Sequence, residues 1–289
     1  MPPALPFDVR KLRRALPSLR IGDGIAVGGQ KCVLRCQYQG LDGCLKLSPN
    51  TPHARARMER EVETMRMVQS PNLVTVLSEE VKSVRLEKTD YIYFVEEYIE
   101  GNDLSRLMRK KWRYDEVITL SRDLCRAVEA LWGYRIVHRD IKPANVRIRS
   151  GGQAVLLDVG LARHMDRASL TASLAMPGTP GYYSPEQIRR RRHDLDFRSD
   201  LFSVGICLYE VLGKINPFTY QVDGDLDEYE KRVLLGTVLP ISRLDRSIPP
   251  SLAELVSRLL KPQANLRPRS FKIIEKLLGK AEEELRCHS

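Results

Sequence analysis

The sequence predicts an α+β chain in two parts, a small β-rich one followed by a larger helical one. Two patterns predict it. Up to about residue 99 the apolar residues fall in short β-prone runs broken by glycine, and beyond Gly101 they recur at helical spacing. Length agrees, since 289 residues with 43% apolar and 29% charged content can bury a substantial core.

Taken in order, residues 20 to 47 read as three β-prone segments, LRIGDGIAVGG, QKCVLRCQY and, after the turn at QGLDG, GCLKLS. The next segment, HARARMEREVETMRMV, places Met58, Val62 and Met65 at i, i+4 and i+7, one buried stripe of a helix that ends at Ser70-Pro71-Asn72. LVTVLSEEVKSV and YIYFVEEYI are read as two more strands. Helical patterns then occupy DEVITLSRDLCRAVEALWGY, FRSDLFSVGICLYEVLG, SLAELVSRLLK and SFKIIEKLLGKAEEEL. The division expected is an extension over residues 1–19, a small lobe over 20–99 and a helical lobe over 100–285.

Composition excludes several classes. No apolar run reaches the ~18 residues of a membrane-spanning helix, and MPPALPFDVRKLRRAL lacks the apolar centre of a secretory signal, so a cytoplasmic protein with no membrane partner is expected. Cys32, Cys36, Cys44, Cys125, Cys207 and Cys287 include no C-x-x-C pair and are read as reduced thiols. The net charge of +10 is interleaved with 37 acidic residues, and no aromatic-basic module accompanies it, which disfavours nucleic acid as a partner. The densest charge block, Arg189 to Arg192, is read as a solvated face.

Chemistry is concentrated in His138-Arg139-Asp140-Ile141-Lys142-Pro143-Ala144-Asn145, between a helical segment and a β-prone pair. Phosphoryl transfer to a hydroxyl needs a carboxylate near the attacking oxygen, a cation for developing charge and oxygen ligands for Mg²⁺, and this loop offers all three. Asp158-Val159-Gly160, thirteen residues beyond Asn145, adds a second carboxylate at a strand end.

These motifs resemble the eukaryotic-type serine/threonine protein kinase family, its bacterial members included, over roughly residues 20 to 280. The resemblance implies a bilobal protein kinase fold that uses ATP and Mg²⁺ on protein substrates. It makes Asp140 the base or hydroxyl orienter, Lys142 the phosphate contact, and Asn145 and Asp158 the metal ligands. Lys46 in Cys44-Leu45-Lys46-Leu47 resembles the strand lysine that holds the α- and β-phosphates, and Glu61 the helix glutamate that pairs with it. Glu59 and Glu63 point elsewhere at about 100° per residue. Backbone groups of Glu97 and Ile99 are expected at the adenine edge. Gly28-Gly29-Gln30-Lys31-Cys32-Val33 aligns as the glycine-rich corner, giving Gly28, Gly29 and Val33 as nucleotide contacts, although Gly22-Asp23-Gly24 also starts like that loop. No Walker A motif is present. Asp200 resembles the aspartate that anchors the catalytic loop, and Glu186 and Arg267 a structural ion pair.

The departures are Lys31 where a third glycine is usual, Glu96 at the gatekeeper position, Val159 in place of the phenylalanine of D-F-G, and Ser184 in place of the alanine before Pro185-Glu186. A pseudokinase scaffold and a small-molecule kinase of related fold are the alternatives. The Gly178-to-Glu186 segment, a peptide platform in kinases, argues against the latter. Lys142 and Thr179 imply serine/threonine preference. Ser169, Thr171 and Ser173 are candidate phosphosites that would pair with Arg139, filled by autophosphorylation from a second copy of the chain.

Overall fold

Alternating buried and open side chains along residues 31–38 mark a strand with one face packed on a core, and four more strands complete the sheet. The computed structural model describes residues 5–28, 31–165, 178–189, 195–222 and 225–287. The chain forms two units. One gathers Met1–Gln69, Leu73–Ile99 and Asp158–Gly160, the other Ser70–Asn72, Glu100–Leu157 and Leu161–Ser289.

The first unit contains α1 (Val9–Ala15), β1 (Arg20–Gly28), β2 (Lys31–Tyr38), β3 (Leu41–Pro49), α2 (Pro52–Met67), β4 (Lys82–Leu86) and β5 (Thr89–Glu97). Its strands run antiparallel in the order β1-β2-β3-β5-β4. Odd and even positions separate the two sheet faces. Cys32, Leu34, Cys36, Leu45, Leu47, Tyr93 and Val95 join an apolar core with Leu12, Leu16 and Leu19. Residues assigned to an extension by sequence are therefore part of this core. Asp8 caps α1 by accepting from Arg10 N at 2.8 Å, and Phe7 packs edge-on against Tyr91 at 5.5 Å.

α2 begins on the Thr51 cap with Pro52 in its first turn, and buries Ala54, Met58, Glu61, Val62 and Met65. The apolar stripe read from the sequence thus carries a carboxylate within it. The run at 73–84 forms strand only from Lys82. Before that, Ser78 Oγ accepts from Val95 N at 3.0 Å, while Leu77 N and Ser78 N both donate to Val95 O, so a side chain takes a ladder position and pairing is irregular.

The second unit contains β6 (Asn102–Asp103), α3 (Leu104–Leu107), α4 (Tyr114–Gly133), β7 (Ile136–Val137), β8 (Val146–Ile148), β9 (Ala154–Leu156) and β10 (Arg163–His164). It continues through α5 (Pro185–Ile188), α6 (Phe197–Gly213), α7 (Leu226–Leu235), α8 (Ile241–Leu244), α9 (Pro250–Leu259) and α10 (Phe271–Cys287). α6 is buried along almost its whole length and packs on α4 and α9, with Phe197 between Trp132 and Phe271. α7, absent from the sequence reading, buries only Tyr229 and Val233 within LDEYEKRVLL, too thin a stripe to stand out among its charges. Two small sheets, β7 with β10 and β6-β8-β9, frame the loop from His138 to Asn145.

Leu12 has no exposed surface, so Leu12→Ala is expected to destabilise the protein by about 2–5 kcal/mol. Urea unfolding of the purified variant checks this; an unchanged midpoint would mean that α1 does not belong to the core.

Candidate active site

Strand register places charged side chains on the sheet face opposite the apolar core. Val33 pairs with Lys46, Lys46 with Phe94 and Cys44 with Glu96, so Lys31, Lys46 and Glu96 share one face across three adjacent strands. Glu61 reaches the same place from α2. Lys46 Nζ donates to Glu61 Oε1 at 2.9 Å, and Lys31 Nζ to Glu61 Oε2 at 2.6 Å. Lys46 also lies 2.8 Å from Glu96 Oε2, an ion pair by distance whose angle misses hydrogen-bond geometry. Lys31 lies 3.6 Å from Asp158 Oδ1, and Arg57 Nη2 lies 4.0 Å from the same atom.

Electrostatics follow from this crowding. Burial works against the Lys46 ammonium, but Glu61, Glu96 and Asp158 outweigh it and hold its pKa well above the ordinary value. Burial pushes the Glu96 carboxyl up to about 7, against the pull of Lys46. Asp158 goes the other way: burial is overcome by Lys46, Lys31 and Arg57, and its carboxyl stays below the usual range. A Cβ at Gly160 would sit 2.8 Å from both Asp158 Oδ1 and Glu61 Oε2, so a side chain there would push these carboxylates out of place.

The second unit holds the other predicted residues. Asp140 Oδ2 accepts from Lys142 Nζ and from Asn145 Nδ2, each at 3.0 Å, and Asp140 Oδ1 accepts from the Thr179 hydroxyl at 2.8 Å. Asn145 Nδ2 also donates to Asp140 O, which turns the amide oxygen away from Asp140 and fits it, like the Asp158 carboxylate, for a hard cation such as Mg²⁺. Buried Asp200 on α6 fixes the loop's start by accepting from His138 N at 2.7 Å and Arg139 N at 2.9 Å. Those bonds hold Arg139 at φ 68°, a left-handed backbone that a non-glycine residue rarely adopts.

Further supports surround the loop. Arg267 and Glu186 form a bidentate buried pair, both contacts at 3.0 Å. Ser184 forms a capping box with Gln187 and meets Ser199 Oγ at 2.5 Å, which gives the hydroxyl at this departure two partners. Gln187 Nε2 in turn donates to Arg139 O at 2.9 Å. Gly178, at φ 121°, lies where a Cβ would meet the Tyr183 ring at 2.7 Å and Arg139 O at 2.8 Å.

The family model described as "Protein kinase domain" matches residues 43–278, most of the chain. The chain belongs to the protein kinase domain family. A serine/threonine-protein kinase of Myxococcus xanthus is 29% identical over 279 residues, 91% of this chain and 49% of that protein. A CBL-interacting serine/threonine-protein kinase of Arabidopsis thaliana is 30% identical over 221 residues, 76% of this chain and 49% of its own length. This kinase domain spans about half or less of the curated relatives it matches. The fold expected from sequence, a β-rich part followed by a helical one, is that of the family.

Of the residues singled out by sequence, Lys46, Glu61 and Asp158 come together in the first unit, and Asp140, Lys142 and Asn145 in the second. Glu59 and Glu63 are exposed, whereas Glu61 is fully buried. The glycine-rich corner lies between Gly28 and Lys31, which pair with each other, and Val33 is opposite Lys46; Gly29 lies outside the described residues. Gly22 and Gly24 instead sit within β1, where its register shifts. Glu97 N donates to Thr75 O at 2.8 Å and Ile99 is buried. Val159 is buried as well, so the position stays apolar with a smaller side chain. Ser169, Thr171 and Ser173 lie outside the described residues. The reading from sequence missed the pairing of its own departures, Lys31 with Glu61 and Glu96 with Lys46. The signal lay in the parity of positions 31, 46 and 96 once the strand register is laid out.

The Glu96 carboxyl, raised from 4.5 to about 7, keeps a proton in the folded protein that the unfolded chain releases. Its contribution to stability is therefore complete below pH 4.5 and is lost as pH rises through about 7. Glu96→Gln lacks this loss. Stability from urea unfolding, variant minus wild type, is expected to increase between pH 5 and pH 8, and a constant difference would contradict the raised pKa.

Proposed function

We propose that this kinase domain is catalytically active and transfers the γ-phosphoryl group of Mg-ATP to serine and threonine hydroxyls of protein substrates. One observation carries the reading: the hydroxyl of Thr179 donates to Asp140 Oδ1 at 2.8 Å beside the Lys142 ammonium, which is the contact an acceptor alcohol needs. Asp140 orients the attacking hydroxyl and takes up its proton. Lys142 offsets the negative charge that develops on the transferring group. Asn145, through its amide oxygen, and Asp158, through its carboxylate, would hold Mg²⁺, which would supply neutralising charge to the phosphates. Lys46, positioned by Glu61, contacts the phosphates, Gly28, Gly29 and Val33 cover the nucleotide, and backbone groups of Glu97 and Ile99 meet the adenine edge.

The names of the relatives support the serine/threonine class. A scaffold without transfer is the second reading, favoured by Glu96, which draws on the lysine that would serve the phosphates. A cytoplasmic setting is part of the same proposal, and among the described residues no helix is long and apolar enough to cross a membrane.

Incubation with labelled Mg-ATP and a general acceptor protein, followed by phosphoamino-acid analysis, is expected to give phosphoserine and phosphothreonine; no labelled product would leave the scaffold. Asp140→Asn and Asp158→Asn are each expected to remove most transfer with folding retained. They should differ in mechanism, the Asp158 change weakening Mg²⁺-dependent nucleotide binding and the Asp140 change mainly lowering kcat. Wild-type turnover in either variant would remove the role assigned to it.

Autophosphorylation between two copies of the chain at Ser169, Thr171 or Ser173 belongs to the same proposal. A phosphate there adds about −1.5 to −2 charge for Arg139 to meet. Peptide mapping of the recombinant protein should find phosphate at residues 169–173, and the Asp140→Asn protein should lack it. Full activity of a triple alanine variant, with no phosphate in the wild type, would end the idea.

A further inference from the structure

Lys31 and Lys46 share one carboxylate, yet their surroundings are unequal. Lys46 is closed in, its side chain 7% exposed, between Glu61 and Glu96, whose side chains are 0% and 6% exposed, with the Phe94 ring 5.6 Å away. Lys31 is 18% exposed, and its second partner, Asp158, is 32% exposed and lies at 3.6 Å, beyond hydrogen-bond reach. Moving Lys46 out of its place would take from buried Glu96 the lysine 2.8 Å from it, the costly way to break such a pair. Moving Lys31 leaves Glu61 still paired with Lys46. The charge balance points the same way. Lys31, Lys46 and Arg57 face three carboxylates in this cluster, and without Lys31 a polyanion would meet two cations against three.

We infer that Lys31 is a further nucleotide-phosphate ligand of this chain, the cation that turns to the phosphates beside Lys46, which meets them while still paired with Glu61 and Glu96. The inference rests on the kinase reading above. It couples the two departures: Glu96 adds a carboxylate that ties Lys46 down, and Lys31 supplies a mobile positive charge beside it. Lys31 can serve because it is the first residue of β2 after the glycine corner and shares the Lys46 face of the sheet. Its long, flexible stem lets the ammonium swing while the backbone stays paired.

The test is equilibrium binding of ATP, in the presence of Mg²⁺, and of adenosine as a phosphate-free probe, by calorimetry at pH 8. Proteins compared are the wild type, Lys31→Met, Glu96→Met and the double variant, each checked by thermal melting without ligand. Lys31→Met is expected to weaken ATP at least ten-fold and leave adenosine unchanged. In the double variant Lys46 is released from its second carboxylate, and ATP affinity should recover several-fold. Should Lys31→Met fail to fold, Lys31→Gln, which keeps a polar contact to Glu61, is expected to show the same selective loss. ATP binding as in the wild type for a folded Lys31 variant would overturn the inference, as would equal losses for ATP and adenosine. Wild-type protein that binds adenosine and ATP with equal affinity would likewise overturn it, while wild-type protein that binds neither would overturn the kinase reading itself.

Discussion

The carboxylate of Glu61 has no exposed surface, and the first unit is organised around neutralising it. An ionised carboxylate removed from water needs a counter-charge and hydrogen bonds on both oxygens. Lys46 serves Oε1 and Lys31 serves Oε2. That solution fixes much else. Glu61 must lie within the buried stripe of α2, one turn from Met58 and Met65, and both lysines must lie on the sheet face that α2 covers. A side chain at Gly160 would displace this carboxylate, because a Cβ there would lie 2.8 Å from Glu61 Oε2. The remaining charges then form a chain of alternating sign, from Glu96 through Lys46, Glu61 and Lys31 to Asp158.

A second buried carboxylate plays a comparable part in the other unit, by a different device. Asp200 is paired with backbone N–H groups of His138 and Arg139, and these bonds compensate for the left-handed backbone at Arg139. Strain of this kind persists only where surrounding contacts over-determine it. Here they do: Gln187 Nε2 donates to Arg139 O, and the Arg139 side chain donates to Leu161 O. The loop carrying Asp140 is consequently held at both its backbone and its side chains, so the Asp140 carboxylate meets Lys142, Asn145 and Thr179 in one defined arrangement.

Much of this was legible in the sequence, for identifiable reasons. The helix spacing of Met58, Val62 and Met65 and the apolar length of residues 197–213 are local signals, and both elements formed where the pattern placed them. His138 to Asn145 and Asp158 to Gly160 were legible because their chemistry is compressed into short motifs. What escaped depends on partners distant in sequence. Nothing within residues 9–15 announces that Leu12 packs beneath strands ending near residue 95, since the stripe has only one fully buried member. Residues 73–81 look like strand because Leu73, Val74, Thr75, Val76 and Leu77 form a β-prone run, but the side chain of Ser78 takes a ladder bond that the propensity scale does not count.

The departures from the family's motifs teach the most about reading such a chain. Taken singly, Lys31 looks like a lost glycine, Glu96 like a charge in an apolar position and Ser184 like a hydroxyl in a tight core. Each has its partner elsewhere: Glu61 for Lys31, Lys46 for Glu96, and Gln187 with Ser199 for Ser184. A buried polar group is tolerated when its donors and acceptors are met, and the cost of the substitution is then set by the partner and not by the residue replaced. Lys31 and Glu96 go further, because they act on the same ion pair from opposite sides and with opposite sign. A lone Glu96 would leave the cluster more negative beside the lysine that faces phosphate, and a lone Lys31 would crowd two ammonium groups on Glu61. Together they keep the charge balance that either alone would upset, so an unfamiliar residue at a motif position is evidence of lost chemistry only after its own contacts have been accounted for.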